Sequence, residues 1–90
     1  MNYRVIAFGS NGYGFWNEPT FHSKLQDASD YFAKVVNSKD PEFVGAVLVE
    51  VNHEDFKVLD RVGPDCYEVI YNFGVCRVIN KKQELVVSDI

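Results

Sequence analysis

Cys66-Tyr67-Glu68-Val69-Ile70-Tyr71-Asn72-Phe73 is the stretch whose reading decides the fold. At period two, Tyr67, Val69, Tyr71 and Phe73 make one face of a strand. At the helical period, Cys66, Val69, Ile70 and Phe73 make an i, i+3, i+4, i+7 stripe. The flanks tip the balance towards a short helix. Pro64 suits a first helical turn, Asp65 complements the positive end of the helix dipole, and Gly74 suits the left-handed position just past a helix end. The strand alternative stays open, because an apolar run this short satisfies both periods.

The segments on either side set what each choice means. Towards the C-terminus, Val75 to Ile79 and Glu84 to Ser88 read as strands joined by Asn80-Lys81-Lys82-Gln83. Towards the N-terminus, Phe56 to Val62 pairs back onto Phe43 to Val51 through the polar connection Asn52-His53-Glu54-Asp55, which has hairpin length. Phe43 to Val51 carries apolar residues on both alternating sets, so it belongs inside the sheet with both faces covered. Before it, Leu25, Ala28, Phe32, Val35 and Val36 fall on one helical stripe opposite Gln26, Asp27, Asp30 and Lys34. Ser23-x-x-Gln26 has capping-box spacing at the start of that helix, and Asn37 and Pro41 end it. Tyr3 to Phe8 is a first strand, again apolar on both faces.

With the helical reading of Cys66 to Phe73, the order is β-α-β-β-α-β plus a C-terminal strand. That is the ferredoxin-like arrangement of an antiparallel sheet with helices on one face. With the strand reading, a single helix packs on a curled antiparallel meander. The class is α+β in both cases, and 90 residues make one domain spanning 1–90.

Function is sought first in the stretch least like a core pattern, Gly9-Ser10-Asn11-Gly12-Tyr13-Gly14-Phe15-Trp16, which follows the first strand. Its glycines suggest a phosphate cradle, but a dinucleotide fingerprint runs directly into its helix and a P-loop carries Lys-Ser or Lys-Thr. Here eight residues separate Gly14 from the expected helix cap at Ser23, and neither signature is met. A long aromatic loop, with room for a short extra strand near Phe15 and Trp16, is the better description. Aromatics on a glycine-rich loop match the composition of binding hot spots. Asn11, Tyr13, Phe15 and Trp16 are therefore the candidate partner- or ligand-binding residues. The competing structural use is that Phe15 and Trp16 fold back to complete a small core, since a domain this size needs its aromatics.

Composition narrows the function classes. Thirteen acidic and nine basic side chains give a formal charge of -4, and only Lys81-Lys82 stand together among the bases. Nucleic-acid binding, which works through a clustered basic face, is disfavoured. The apolar share of 47% and aromatic share of 14% suffice for a core without staples. Cys66 and Cys76 lack any second pair or CxxC spacing and read as free thiols of a reducing compartment. The longest apolar runs fall well short of a membrane span, and the N-terminus lacks a leader pattern, so a soluble, cytoplasmic protein is expected.

No catalytic or metal constellation stands out. His22 precedes the helix and His53 lies in the polar turn with Glu54 and Asp55, where consecutive residues do not converge on one ion without a second supplying segment. No metal or cofactor is expected. Neither cysteine has the local signature of an activated nucleophile. The expected function is a non-catalytic protein-interaction module, an inhibitor or regulator of another protein, working through the aromatic loop. The alternative is a small-ligand binder for a nucleotide-like signal, with its pocket at an interface between copies of the chain.

Overall fold

The computed structural model describes residues 2–9, 16, 20–52, 55–64, 67–72 and 75–80, with residues 71, 72 and 75–80 described by backbone alone. In chain order the elements are β1 (Asn2–Gly9), β2 (Thr20–His22), α1 (Leu25–Val36), β3 (Phe43–Asn52), β4 (Asp55–Val62), β5 (Tyr67–Asn72) and β6 (Val75–Asn80). The first four strands form an antiparallel sheet in the order β2-β1-β3-β4, and β5 and β6 form a separate antiparallel pair.

β1 and β3 are central, as their two-sided apolar pattern requires. Their register sets Val5 opposite Leu48 and Ala7 opposite Ala46 on one face, with Ile6 opposite Val47 on the other. The first face receives Ala28, Phe32 and Val35 of α1, the buried part of the stripe read from the sequence. The second receives Tyr67 and Val69 of β5, which join Ile6, Phe8, Val47, Val49 and Val51. Helix, sheet and hairpin thus stack as three layers, and each central strand feeds two cores.

The reading of Cys66 to Phe73 as a second helix is corrected: Tyr67–Asn72 is a strand paired with Val75–Asn80. The ferredoxin-like order falls with it, and the described order is β-β-α-β-β-β-β. Burial follows period two, with Tyr67 and Val69 buried and Glu68 between them exposed. The cause is tertiary. An apolar face of β1 and β3 lies uncovered by α1, and a strand with alternate Tyr and Val covers it while its aromatic and β-branched residues suit extended backbone. Pro64 serves as a turn residue, its carbonyl accepting from the Tyr67 amide at 3.4 Å and from the Arg61 guanidinium at 2.9 Å. The expected strand Glu84 to Ser88 lies outside the described residues.

The β3–β4 hairpin contains a feature the sequence does not advertise. Leu48 pairs with Asp60 while Val49 pairs with Val58, which leaves Leu59 as the extra residue of a bulge. Bulges re-aim the side chains beyond them. Arg61, opposite Val47, therefore faces the hairpin layer, where its guanidinium carbon lies 5.6 Å from the centre of the Phe8 ring and its Nη2 also donates to the Tyr67 carbonyl.

The helix start is corrected as well. Lys24, in extended conformation, holds the cap position with no side-chain bond to the first turn, and the first helical amide bond runs from Ala28 to the Lys24 carbonyl. Ser23 stands one residue too early for its hydroxyl to reach the free amides, so the capping box does not form. Replacing Lys24 with Asp is expected to stabilise the fold by about 1 kcal/mol, while Ser23→Ala stays within about 0.5 kcal/mol of wild type. Urea midpoints of the two variants check this.

Candidate functional site

Of the four candidate residues, Asn11, Tyr13 and Phe15 lie outside the described residues, and Trp16 is placed. The short extra strand considered near Phe15 and Trp16 falls, apart from Trp16, outside the described residues, and a short strand is present at Thr20–His22. Trp16 itself makes one backbone bond to the sheet, its amide donating to the Ala7 carbonyl at 2.8 Å.

The Trp16 ring is half-buried and packs at the rim of the helix-face core. It meets Phe43 edge to face, with centroids 5.4 Å apart and ring planes at 79°, a geometry that suits the ring quadrupoles. Its Nε1–H donates to Oδ2 of Asp40 at 3.0 Å. The side chain thus has a packed body and a polar edge with a defined partner.

What holds Asp40 in place is the connection from α1 to β3. The Asn37 amide bonds the Ala33 carbonyl and the Ser38 amide the Val35 carbonyl, so the chain stays tight as the helix ends, and the Asn37 side chain adds a bond to the Ala33 carbonyl at 2.8 Å. The Asp40 amide then donates to Ser38 Oγ, and Asp40 Oδ1 accepts from the Glu42 amide at 2.9 Å. A turn closes from the Phe43 amide to the Asp40 carbonyl at 3.1 Å with Pro41 at its second position, where the fixed φ of proline fits. Each carboxylate oxygen of Asp40 therefore has a donor.

These bonds hold the Asp40 carboxyl below its ordinary value of 3.8, the Glu42 amide contributing most and the Trp16 indole next, against a smaller opposing effect of burial. A carboxyl depressed by folding stabilises the fold above its unfolded value and loses that contribution as pH falls through the lower folded value. Since Trp16 is the sole tryptophan, its emission is expected to stay constant from neutral pH down to about 4 and to change only below the 3.8 of an ordinary aspartate. Asp40→Ala is expected to abolish that acid-side change. A fluorescence titration of both proteins checks it.

Between Trp16 and the second half of α1 lies an open cleft of about 380 Å³ lined by Trp16, Tyr31, Lys34, Val35 and Ser38. Tyr31, Lys34, Val35 and Ser38 follow helical spacing along the edge of the buried stripe. That spacing is visible in the sequence and would have found them, had the loop been read together with the helix rather than apart from it. Asp40 and Phe43 carry no such signal, since only the turn at Pro41 brings them to the indole. Behind Tyr31, the His22 ring stands 5.5 Å away and its Nε2 is 2.8 Å from the Thr20 hydroxyl.

Two other surfaces are apolar. The edge strand β4 exposes Val58, Leu59 and Val62, and β2 exposes Phe21 at 64% beneath the Arg4 guanidinium, 4.2 Å from the ring centre. The bulge and Lys57 on β4 are devices that discourage pairing with another strand. No group of three or more His, Cys, Asp or Glu able to hold a metal ion occurs among the described residues. Nor is any helix among them long and apolar enough to cross a membrane. Cys66 lies outside the described residues and Cys76 is described in backbone only.

Compared with protein families, curated proteins and solved structures, the chain finds no match in any of the three.

Proposed function

We propose that the chain is a non-catalytic interaction module that regulates another protein, binding it through the aromatic loop and the cleft at the foot of that loop. The observation that carries this reading is the position of Trp16. Its indole is anchored on Phe43 and Asp40, yet one side of it forms a wall of an open cleft whose other walls are Tyr31 and Val35. A rigid aromatic wall next to solvent costs little entropy to engage, which is why such residues carry binding energy in protein interfaces.

The test pairs affinity capture from the native host with two variants. Tyr13→Ala combined with Phe15→Ala spares Trp16, and Val58→Lys alters the β4 edge instead. A partner captured by wild type and by Val58→Lys but lost by the loop variant supports the reading. A partner retained by the loop variant removes the loop from the interface. Capture only by proteins with an intact β4 edge would move the site to that strand.

A further inference from the structure

We infer that the cleft beside Trp16 takes an apolar side chain from a partner segment that carries a carboxylate next to it, an acidic peptide rather than a neutral or basic one. This deepens the interaction reading and rests on it.

The walls divide by chemistry. Trp16, Tyr31 and Val35 supply the apolar surface, and Lys34 and Ser38 supply the polar rim. Among the described residues of the lining, Lys34 is the one charged side chain. Asp40, whose oxygens accept from the Trp16 indole and the Glu42 amide, keeps its charge but has those groups, not Lys34, as its hydrogen-bond partners. One helical turn before Lys34, Asp30 accepts from the Gln26 side chain at 2.9 Å. Ser38 Oγ accepts from the Asp40 amide at 3.2 Å, which leaves its own proton to donate. A cation and a hydroxyl donor thus stand four residues apart on the same rim, matched to an anionic acceptor.

The formal charge of -4 does not oppose this. At physiological ionic strength charges beyond about 8 Å are largely screened, so distant acidic side chains weigh little against a direct contact with the Lys34 ammonium. The volume also limits the occupant. About 380 Å³ with an open mouth accommodates one large side chain and its neighbour, not a folded element.

Two synthetic peptides test the inference, one with a single Phe flanked by Glu residues and one with Gln in their place, titrated into nitrogen-labelled protein. The acidic peptide is expected to shift the Trp16 indole N–H and the Lys34 and Ser38 amides, and to bind about two- to fivefold more tightly than the Gln peptide at low salt, as a partly exposed ion pair allows. High salt should narrow that difference. Lys34→Met, which keeps the aliphatic stem, should make the two peptides equal while the rest of the spectrum stays in place. Equal affinities for wild type, a preference that survives in Lys34→Met, or no response at the cleft residues would each overturn the inference. The interaction reading fails separately, through the capture experiment with the loop variant.

Discussion

Replacing Gly45 with Ala is expected to lower the stability of the fold by about 3 kcal/mol, at the upper end of what overpacking a core costs. A Cβ at this position would stand 2.3 Å from the Val62 carbonyl oxygen and 2.8 Å from the Gly63 Cα, both backbone atoms. Neither can rotate away as a side-chain tip could. Gly45 lies opposite Phe8 on β1, and Ala46 beside it pairs with Val62. The added methyl must therefore lift the end of β4 off the sheet or push away the turn that carries the chain across to β5. Gly63 adopts φ 123°, a conformation that costs an L-residue strain of about 1–3 kcal/mol, and its own Cβ would meet the Gly45 Cα at 2.8 Å. Gly63→Ala should destabilise too. Because both changes push on one contact, the double variant should lose less than the sum of the two. Urea unfolding of the three proteins measures this. A Gly45→Ala variant within about 0.5 kcal/mol of wild type would show that the chain does not cross there.

That crossing is also where the sequence ceased to be legible. The amphipathic stripe of α1, the two-sided apolar runs of β1 and β3 and the hairpin to β4 are local patterns with enough length to fix their period, and each appears in the structure. Cys66 to Phe73 is too short for its period to decide, and its flanks misled. Gly63 and Pro64 resemble a helix start, but they take the chain over Gly45 to the far face of the sheet, a role set by a residue almost twenty positions earlier. The Leu59 bulge is equally silent, since an extra residue in an edge strand leaves the local composition unchanged. At the candidate site, Trp16 stands out by composition, whereas Lys34 reads only as part of the polar helix face and Tyr31 is not singled out at all. Their convergence depends on the Asp40 to Phe43 turn, which no spacing in the chain announces.

Phe8→Ala should cost about 3–5 kcal/mol, the range for removing a fully buried aromatic ring, and the loss should concentrate in the hairpin layer. Phe8 is completely buried, stacks on Tyr67 with centroids 5.1 Å apart and planes within 6°, and lies beneath the Arg61 guanidinium. The Tyr67 hydroxyl also donates to the Gly9 carbonyl at 3.3 Å, which ties β5 to the end of β1. α1, by contrast, rests on Val5, Ala7, Ala46 and Leu48, residues of the opposite face. Removing the Phe8 ring therefore strips the hairpin of its stacking partner while the helix keeps every contact it makes with the sheet. Amide hydrogen exchange should show β5 losing far more protection than α1, because regions open in cooperative units of unequal stability. Should the alanine variant fail to fold, Phe8→Leu keeps most of the volume and removes only the stacking, with an expected loss of about 1.5 kcal/mol or less. A matching loss of protection in α1 and β5 would mean that the layers unfold as one unit. Unchanged protection in β5 would mean that the Phe8 and Tyr67 stack does not hold the hairpin on the sheet.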